Sequence, residues 1–471
     1  MFVAGLAGIT RAGLGQESPS LPAAKIVILH TNDLHGQVYS WRNRGGLAAL
    51  AATLKRVRAE EEAKGARVFI VDCGDFFQGT PEGDLTEGRL LVDTFNEIGY
   101  DALCVGNHEF DFGSKVTERL ARRARFPFLG ANVRTEEGKL PDYLHEKVSF
   151  PEDRLTFLGL VPSEMPTLVT EKARRGLTFL LEEVVLDRLL PKARFRTVLL
   201  SHVGHEKELL LAEKYDLAAV IGGHSHKRMQ QMVGSTFYSQ AGSRGRLVGV
   251  VEIGEKTSGR FVKVNPKDGE DPQVQQIIDL YTPEIDRIMN EEIGFLETGC
   301  ARAGKGTSLL GNWLCDLMKE ATGADVALHN RTGIRASLKQ GALRLRDLYQ
   351  VSPFRNTLVT MKLQGTELVD LLSRAMSHDK YFLEMSGVRY TMRGGKVEDV
   401  FVGEDAIDPQ KLYTVVTNSF LAAGGDGHEI FNRGRERNDT LKDLLEVHKN
   451  WVRENSPVKL TFTERVYFDG K

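Results

Sequence analysis

The feature that most constrains this chain is a set of short apolar runs, each ending at a side chain able to bind a metal ion. The first is Ile26-Val-Ile-Leu-His-Thr-Asn-Asp-Leu-His-Gly36, an uninterrupted apolar stretch that stops at Asp33 and His35. Such runs read as strands buried on both faces, the kind found in parallel sheets. In an extended backbone, residues two apart point the same way, so Asp33 and His35 are expected to converge on one small target. By itself an Asp-x-His pair is a weak signal, equally at home in a polar turn.

The pattern then repeats. Residues 68–75 end at Asp75, residues 102–108 at Asn107 and His108, residues 197–202 at His202, and residues 217–226 at His224 and His226. Ligand sites of open α/β sheets lie at the carboxyl ends of the strands, so the five runs predict one site. Between them, Leu47, Leu50, Ala51, Leu54 and Val57 have helical spacing, as do residues 90–98, giving β-α-β units. Residues 127–132, 155–161 and 247–253 are predicted to add strands.

At 471 residues the chain is too long for one ordinary core, and two domains are expected. The breaker-rich stretch 265–272 marks a boundary. Beyond it Val274, Ile277, Ile278, Tyr281, Ile285, Ile288 and Met289 repeat at three and four, which predicts one helix, either a hinge element rather than core or a surface helix of one of the two halves. The second half reads as a smaller α/β domain, with helices over 308–321 and 366–376 and strands over 325–329, 357–363, 413–417 and 458–462. The expected divisions are 1–24 as a tail or export signal, 25–265, a linker 266–296, and 297–471.

Lys and Arg number 62 against 64 Asp and Glu, a net charge of -2. That balance gives no global field for a nucleic acid polymer, so an anionic ligand must be caught by local groups. No apolar run reaches the length of a membrane span. Met1 to Ile9 resembles the apolar core of an export signal without its basic start, which predicts a periplasmic or secreted protein. Cys73, Cys104, Cys300 and Cys315 lack metal-binding spacing; Cys73 and Cys104 read as buried small hydrophobes.

Asp33, His35, Asp75, Asn107, His202, His224 and His226 offer only nitrogen and oxygen ligands, a set that suits Zn, Mn, Co, Ni or Fe. Seven are too many for one four-coordinate ion. Two ions sharing a carboxylate are the natural arrangement, and such a pair serves displacement at phosphorus. The remaining histidines, His30, His145, His205, His329, His378, His428 and His448, read as structural or surface groups.

Taken together, residues 31–36, Gly74-Asp75, residues 106–111 (Gly-Asn-His-Glu-Phe-Asp), Ser201-His202 and residues 222–226 (Gly-Gly-His-Ser-His) resemble the dinuclear metallophosphatases of the 5'-nucleotidase and UDP-sugar hydrolase family. Residues 330–335, 353–356 and 418–427 resemble that family's nucleotide-binding domain. The resemblance implies a four-layer α/β/β/α sandwich, a linker helix and a smaller C-terminal α/β domain. It implies two divalent ions, Zn, Mn or Co: one held by Asp33, His35 and His226, the other by Asn107, His202 and His224, with Asp75 bridging. Position 226 is an amide in some relatives.

The resemblance further implies phosphate release from nucleoside 5'-monophosphates by a hydroxide held on the metals. His108 would stabilise the phosphoryl charge and Asp111 would orient its ring. Arg335 is expected on the substrate's anionic groups and Phe354 and Phe420 on either side of its base. Asn330, Gly333, Asn356 and Asp426 match the remaining motif positions. Arg331-Thr-Gly-Ile-Arg335 replaces the usual Gly-Gly-Gly-Ile-Arg, and an arginine common near 306 is absent, leaving Arg302 or Lys305 as substitutes. Alternative substrates on this scaffold are UDP-sugars or 2',3'-cyclic nucleotides, and the rival of another class is a nucleotide-binding protein without catalysis. A monomer is expected.

Overall fold

The computed structural model describes residues 25–40, 43–169, 173–254, 256–302, 306–354, 356–378 and 381–468. The expected tail or signal over residues 1–24, and Lys305, lie outside the described residues.

Two six-stranded sheets lie face to face in the first half. One runs in the order Ser258–Lys263, Leu247–Ile253, Ile26–Thr31, Arg67–Asp72, Ala102–Cys104, Phe128–Leu129, its last four strands parallel. The other runs Arg228–Val233, Thr236–Ala241, Ala219–Ile221, Arg196–Ser201, Leu155–Leu160, Lys147–Phe150, with its central four parallel. The unbroken apolar runs follow from this layering. Ile26, Ile28, Phe69 and Val71 face the opposite sheet, against Phe157, Val198, Leu200 and Ile221. The alternate residues Val27, Leu29, Val68 and Ile70 face outward, under helices Leu47–Glu62 and Arg89–Ile98. Helices Glu182–Leu189 and His205–Lys214 cover the far side of the second sheet, giving the α/β/β/α sandwich. The inner strands of both sheets have no aqueous face, unlike the exposed edge strands Arg228–Val233, Lys147–Phe150 and Ser258–Lys263, so an unpaired polar residue within them would be costly.

The five predicted strand ends are shared between the two sheets, as the α/β/β/α sandwich requires. Those after Thr31, Asp72 and Cys104 belong to the first, and those after Ser201 and Ile221 to the second.

Helix Pro272–Met289 departs from the hinge expectation. Val274, Ile278 and Ile285 are buried in the first half's core. Asp271 caps its start by accepting from the amides of Gln273 and Val274 and pairs with Lys55 at 2.8 Å. Tyr281 donates to Asp93 at 2.6 Å and Arg89 pairs with Glu284 at 3.0 Å. The helix is a strut fixed to the first half. Its last turn reaches the second, through Ile288, Met289 and an Arg346–Asp286 ion pair.

In the second half a five-stranded sheet is ordered Leu383–Ser386, Val326–Asn330, Leu412–Asn418, Thr357–Gln364, Arg435–Asp443. A four-stranded sheet stands beside it. Helix Leu309–Thr322 has the expected caps: the Ser308 side chain accepts from Gly311 N, and Gly323 closes the end in a left-handed conformation. The predicted strand over 458–462 is not formed. That stretch makes one isolated bridge, Val458 to Leu296, and the closing strand is Val466–Phe468. All four cysteines are buried thiols. Among the described residues no helix is long and apolar enough to cross a membrane.

Candidate active site

All seven candidate metal ligands meet at the carboxyl ends of the two sheets. The ligand atoms of Asp33, His35 and His226 lie within 4.8 Å of one another, as do those of Asp75, His202 and His224. Asn107 completes the second group, its Oδ1 3.0 Å from His224 Nδ1. The convergence of Asp33 and His35 has a different cause from the one expected. Both have left-handed backbones, with φ of 51° and 47°, so the pair lies on a tight turn rather than an extended strand end. Asp75, His224 and His226 share that conformation, at φ of 54°, 68° and 54°. Left-handed backbones are unfavourable for residues with side chains, and a run of them at one locus marks a site where geometry is bought with stability.

The residues fit a pair of cations. His35 Nδ1 donates to the Gln78 carbonyl at 3.0 Å, and His202 Nδ1 donates to the Cys73 carbonyl at 2.5 Å. Each carbonyl engages Nδ1 and turns Nε2 to the centre, the orientation a metal-ligating imidazole requires once Nε2 is free of its proton. His202 Nε2 is buried 3.0 Å from Asp75 Oδ2, a contact that a proton fills here and that a cation between the two would replace. His35 Nε2 and His226 Nε2 lie 2.9 Å apart, and His226 Nε2 is 3.3 Å from Asp33 Oδ1. A shared cation reconciles such crowded acceptors.

Electrostatics agree. Burial favours the neutral form of Asp75, yet His202, His108 and His35 hold its carboxyl well below the usual range. The same carboxylate overcomes burial at His202 and lifts it to about 10. Burial pushes His35 down to about 4. The buried negative charge of Asp33 and Asp75 thus faces imidazoles of opposite leaning, a field that draws a divalent ion.

Beside this centre, His108 Nδ1 lies 2.6 Å from Asp111 Oδ2, and its Nε2 lies 3.9 Å from Asp75 Oδ2. The His108 amide donates to Asp75 Oδ1 at 2.9 Å. Its ring is partly exposed, so it faces a site that a substrate reaches.

Sequence reasoning missed the groups that hold these ligands in place. Glu109 is buried and accepts from the amides of Asp75, Phe76 and Gly106 at 2.8, 3.0 and 2.6 Å. Burial and the charge of Asp75 raise its pKa to about 7. Asn32 Nδ2 donates to Asp33 Oδ2 at 2.6 Å. Both stand within motifs already noted, next to His108 and Asp33, and adjacency was the available signal. His205, three residues beyond His202, begins a helix and joins neither ligand group.

Asn330, Gly333, Arg335, Phe354, Asn356, Phe420 and Asp426 line one pocket of about 230 Å³, with Thr332. Asn330 Nδ2 donates to Asp426 Oδ2 at 2.9 Å, and Asn418 Nδ2 holds Asn330 Oδ1 at 2.9 Å. At Gly333 a Cβ would lie 2.9 Å from Asn330 Oδ1, so a side chain there would press on this network. Phe354 and Phe420 are 40% and 46% exposed, large apolar faces left open at a pocket. Arg331 points elsewhere: it pairs with buried Glu384 at 2.9 Å and stacks over Phe382 at 3.7 Å. Arg302 Nη1 donates to the Ile334 carbonyl at 2.9 Å, next to Arg335. Arg335 and Phe354 also line a larger cleft of about 600 Å³, whose opposite wall carries Gln37, Gly79 and Thr80 from the metal-ligand loops.

Comparison with known proteins agrees with both halves. Residues 26–228 match the calcineurin-like phosphoesterase family and residues 287–433 the 5'-nucleotidase C-terminal domain. The resemblance read from the sequence is borne out in both its parts, a metallophosphatase half followed by a 5'-nucleotidase C-terminal half. It is 26% identical to Protein UshA of Escherichia coli over 93% of each chain. It is 26% identical to the trifunctional nucleotide phosphoesterase protein YfkN of Bacillus subtilis, across 88% of this chain but only 33% of that longer protein. The crystal structure of a 5'-nucleotidase precursor from Thermus thermophilus superposes with a TM-score of 0.61 at 26% identity, covering 95% of this chain and all of that one. The chain is thus a metal-dependent phosphohydrolase of this family.

Proposed function

We propose that this phosphohydrolase releases phosphate from nucleoside 5'-monophosphates. The observation that carries the reading is the continuity of two sites: Arg335 and Phe354 belong both to the small pocket and to the cleft that borders the metal-ligand loops. A nucleotide whose base lies between Phe354 and Phe420 directs its phosphate along that cleft. Aromatic faces grip any base, and a guanidinium meets a phosphate through two parallel hydrogen bonds.

Asp33, His35 and His226 would hold one divalent ion, and Asn107, His202 and His224 the other, with Asp75 between them. Zn, Mn or Co fits these ligands. Such ions supply Lewis acidity for displacement at phosphorus. The chain's own contribution is positional. His108 carries a proton on Nε2, the ring nitrogen on the side of the metal-ligand cluster, and donates it as a hydrogen bond to the charge that builds on the phosphoryl oxygens. Asp111 holds the other ring nitrogen, and so fixes both orientation and charge. The apolar Met1 to Ile9 stretch supports export to the periplasm or the medium.

Phosphate release from AMP tests this, measured after EDTA treatment and after adding back Mn, Co or Zn. Metal-dependent release is expected. No release with any metal, while AMP still binds, would move the assignment to UDP-sugars, 2',3'-cyclic nucleotides or a binding role.

A further inference from the structure

Strand Thr236–Ala241 is buried along its whole length, yet one of its faces is polar. Phe237 points between the two sheets, so Tyr238 and Gln240 point to the outer side, under helix His205–Lys214. A buried carboxamide has two N–H donors and a carbonyl with two lone pairs, and leaving any of them unpaired is costly. Gln240, fully buried, fills all four.

Its Nε2 donates to the Gly223 carbonyl at 2.7 Å and turns its other proton to Glu208 Oε2 and the Tyr238 hydroxyl, at 3.4 and 3.3 Å. Its Oε1 accepts from the Ser225 hydroxyl at 3.1 Å and from the Lys227 amide. The partners fix which end is which, because a carbonyl only accepts and a backbone amide only donates. The carboxamide thus brackets two metal ligands: it holds the carbonyl before His224, the hydroxyl between His224 and His226, and the amide after His226. Glu208, also fully buried, backs the arrangement by accepting from the Tyr238 hydroxyl at 2.8 Å and the Gly223 amide at 3.3 Å. The loop needs such holding. His224 and His226 have φ of 68° and 54°, a conformation that persists only where the surroundings over-determine it. The loop also touches both ligand groups: the His224 amide donates to Asp33 Oδ1 at 3.1 Å, and a Cβ at Gly223 would lie 2.7 Å from His202 Nδ1.

We propose that Gln240 is a positioning residue for the whole metal centre: it locks into one loop a ligand of each ion, His226 of the first and His224 of the second, and so sets the spacing of the pair. The proposal rests on the two-ion assignment above. Gln240 touches neither ion nor substrate and acts through the two histidines. Releasing it therefore weakens both ions together, whereas a support such as the Gln78 carbonyl behind His35 serves one ion alone.

The test is Mn titration of the metal-free protein, with EPR of the Mn-saturated protein, for wild type, Gln240→Met, Ser225→Ala and Val185→Ala. Methionine keeps the length of the side chain without its hydrogen bonds. Val185 lies in the core on the outer side of the same sheet and reports a loss of stability alone. Gln240→Met is expected to weaken both ions by about tenfold to a hundredfold and, at saturation, to alter the exchange-coupled spectrum of the closely spaced Mn pair. Ser225→Ala removes only the hydroxyl between the histidines and is expected to weaken both ions by a smaller factor. Val185→Ala should lower Tm and leave affinity and spectrum as in wild type. Wild-type affinities and spectrum in Gln240→Met, or in Ser225→Ala where Gln240→Met does not fold, overturn the inference, as do equal changes in Val185→Ala. Wild-type protein that binds a single Mn brings down the two-ion assignment on which the inference stands.

Discussion

The Nδ1 atom of His108 lies 2.6 Å from Asp111 Oδ2, and this pair decides the charge of the ring that faces the metal centre. Burial would strip the imidazole of its proton, but Asp111 and Asp75 outweigh it and raise the pKa to about 10. His108 is thereby a donor at neutral pH. Replacing it by alanine is expected to lower kcat for AMP by about a hundredfold to a thousandfold, with KM little changed. Asp111→Asn keeps the ring but removes the charge, and a loss of about ten- to a hundredfold is expected. Steady-state phosphate release from AMP measures both, and an Asp111→Asn enzyme with wild-type kcat would dismiss the pair.

The layered strands were legible because a sheet covered on both faces leaves no aqueous side to write in polar residues. Ile26 to Leu29 reads unambiguously for that reason. Asp33 and His35 do converge, but through left-handed turns and not through strand alternation. Side-chain alternation along a strand is visible in sequence, whereas the left-handed turns at φ of 51° and 47° are held by hydrogen bonds that the Asp33 and His35 amides donate to the carbonyls of Gly74 and Asp75 in another loop. Such long-range supports leave no periodicity. The strut helix escaped for a related cause, since its apolar stripe is the same whether it faces solvent-side hinge or core.

Glu109 illustrates a support that is invisible in isolation. It accepts from three amides of the loops that carry Asp75 and Asn107. Glu109→Gln substitutes a donor for one acceptor oxygen and leaves at least one buried amide opposite an N-H. A stability loss of about 1–3 kcal/mol is expected. Thermal unfolding of the metal-free protein reads the loss directly, and metal titration should show weaker binding in the same variant. An unchanged Tm together with unchanged metal affinity would remove Glu109 from this role.

Removing the metals should destabilise the first half as well as silence it. Asp33, His35, Asp75, His224 and His226 all sit in unfavourable backbone conformations around two buried carboxylates, and a bound cation offsets that cost by mass action. EDTA is expected to lower Tm, and Mn, Co or Zn to restore it in a concentration-dependent way. In a His202→Ala variant the Tm response to added metal should shrink markedly. Differential scanning calorimetry of wild type and variant, with and without chelator, distinguishes this from a purely functional metal, for which Tm would not move.

Phe354 and Phe420 expose large apolar faces at a pocket that is otherwise polar. If they hold the base, Phe354→Ala and Phe420→Ala should each raise KM for AMP by about ten- to a hundredfold, from about 1–3 kcal/mol of stacking per base. Hydrolysis of a small phosphate ester without a base should change far less. Equal losses on both substrates would mean that the aromatic rings support the fold of the loop rather than the ligand.

The second half carries a pH sensitivity independent of the metals. His329 and His448 are fully buried, and each has an Nε2 without a hydrogen-bond partner. Burial lowers His329 to about 4, and burial together with the charge of His329 lowers His448 to about 3. Both are neutral in the fold, while the unfolded chain takes up protons below its ordinary value of 6.5. The unfolded state therefore binds more protons between pH 6.5 and about 4, and stability falls as pH falls through that window. Each group contributes about 1.4 kcal/mol per pH unit at most. Urea unfolding at a series of pH values from 7 to 5, followed by a probe in the C-terminal half, should show this slope. His448→Gln removes one titrating group, so the slope should flatten by roughly one proton whatever the variant's absolute stability. A slope unchanged by the substitution would mean that His448 is protonated in the fold as readily as in the unfolded chain, and that its surroundings admit water.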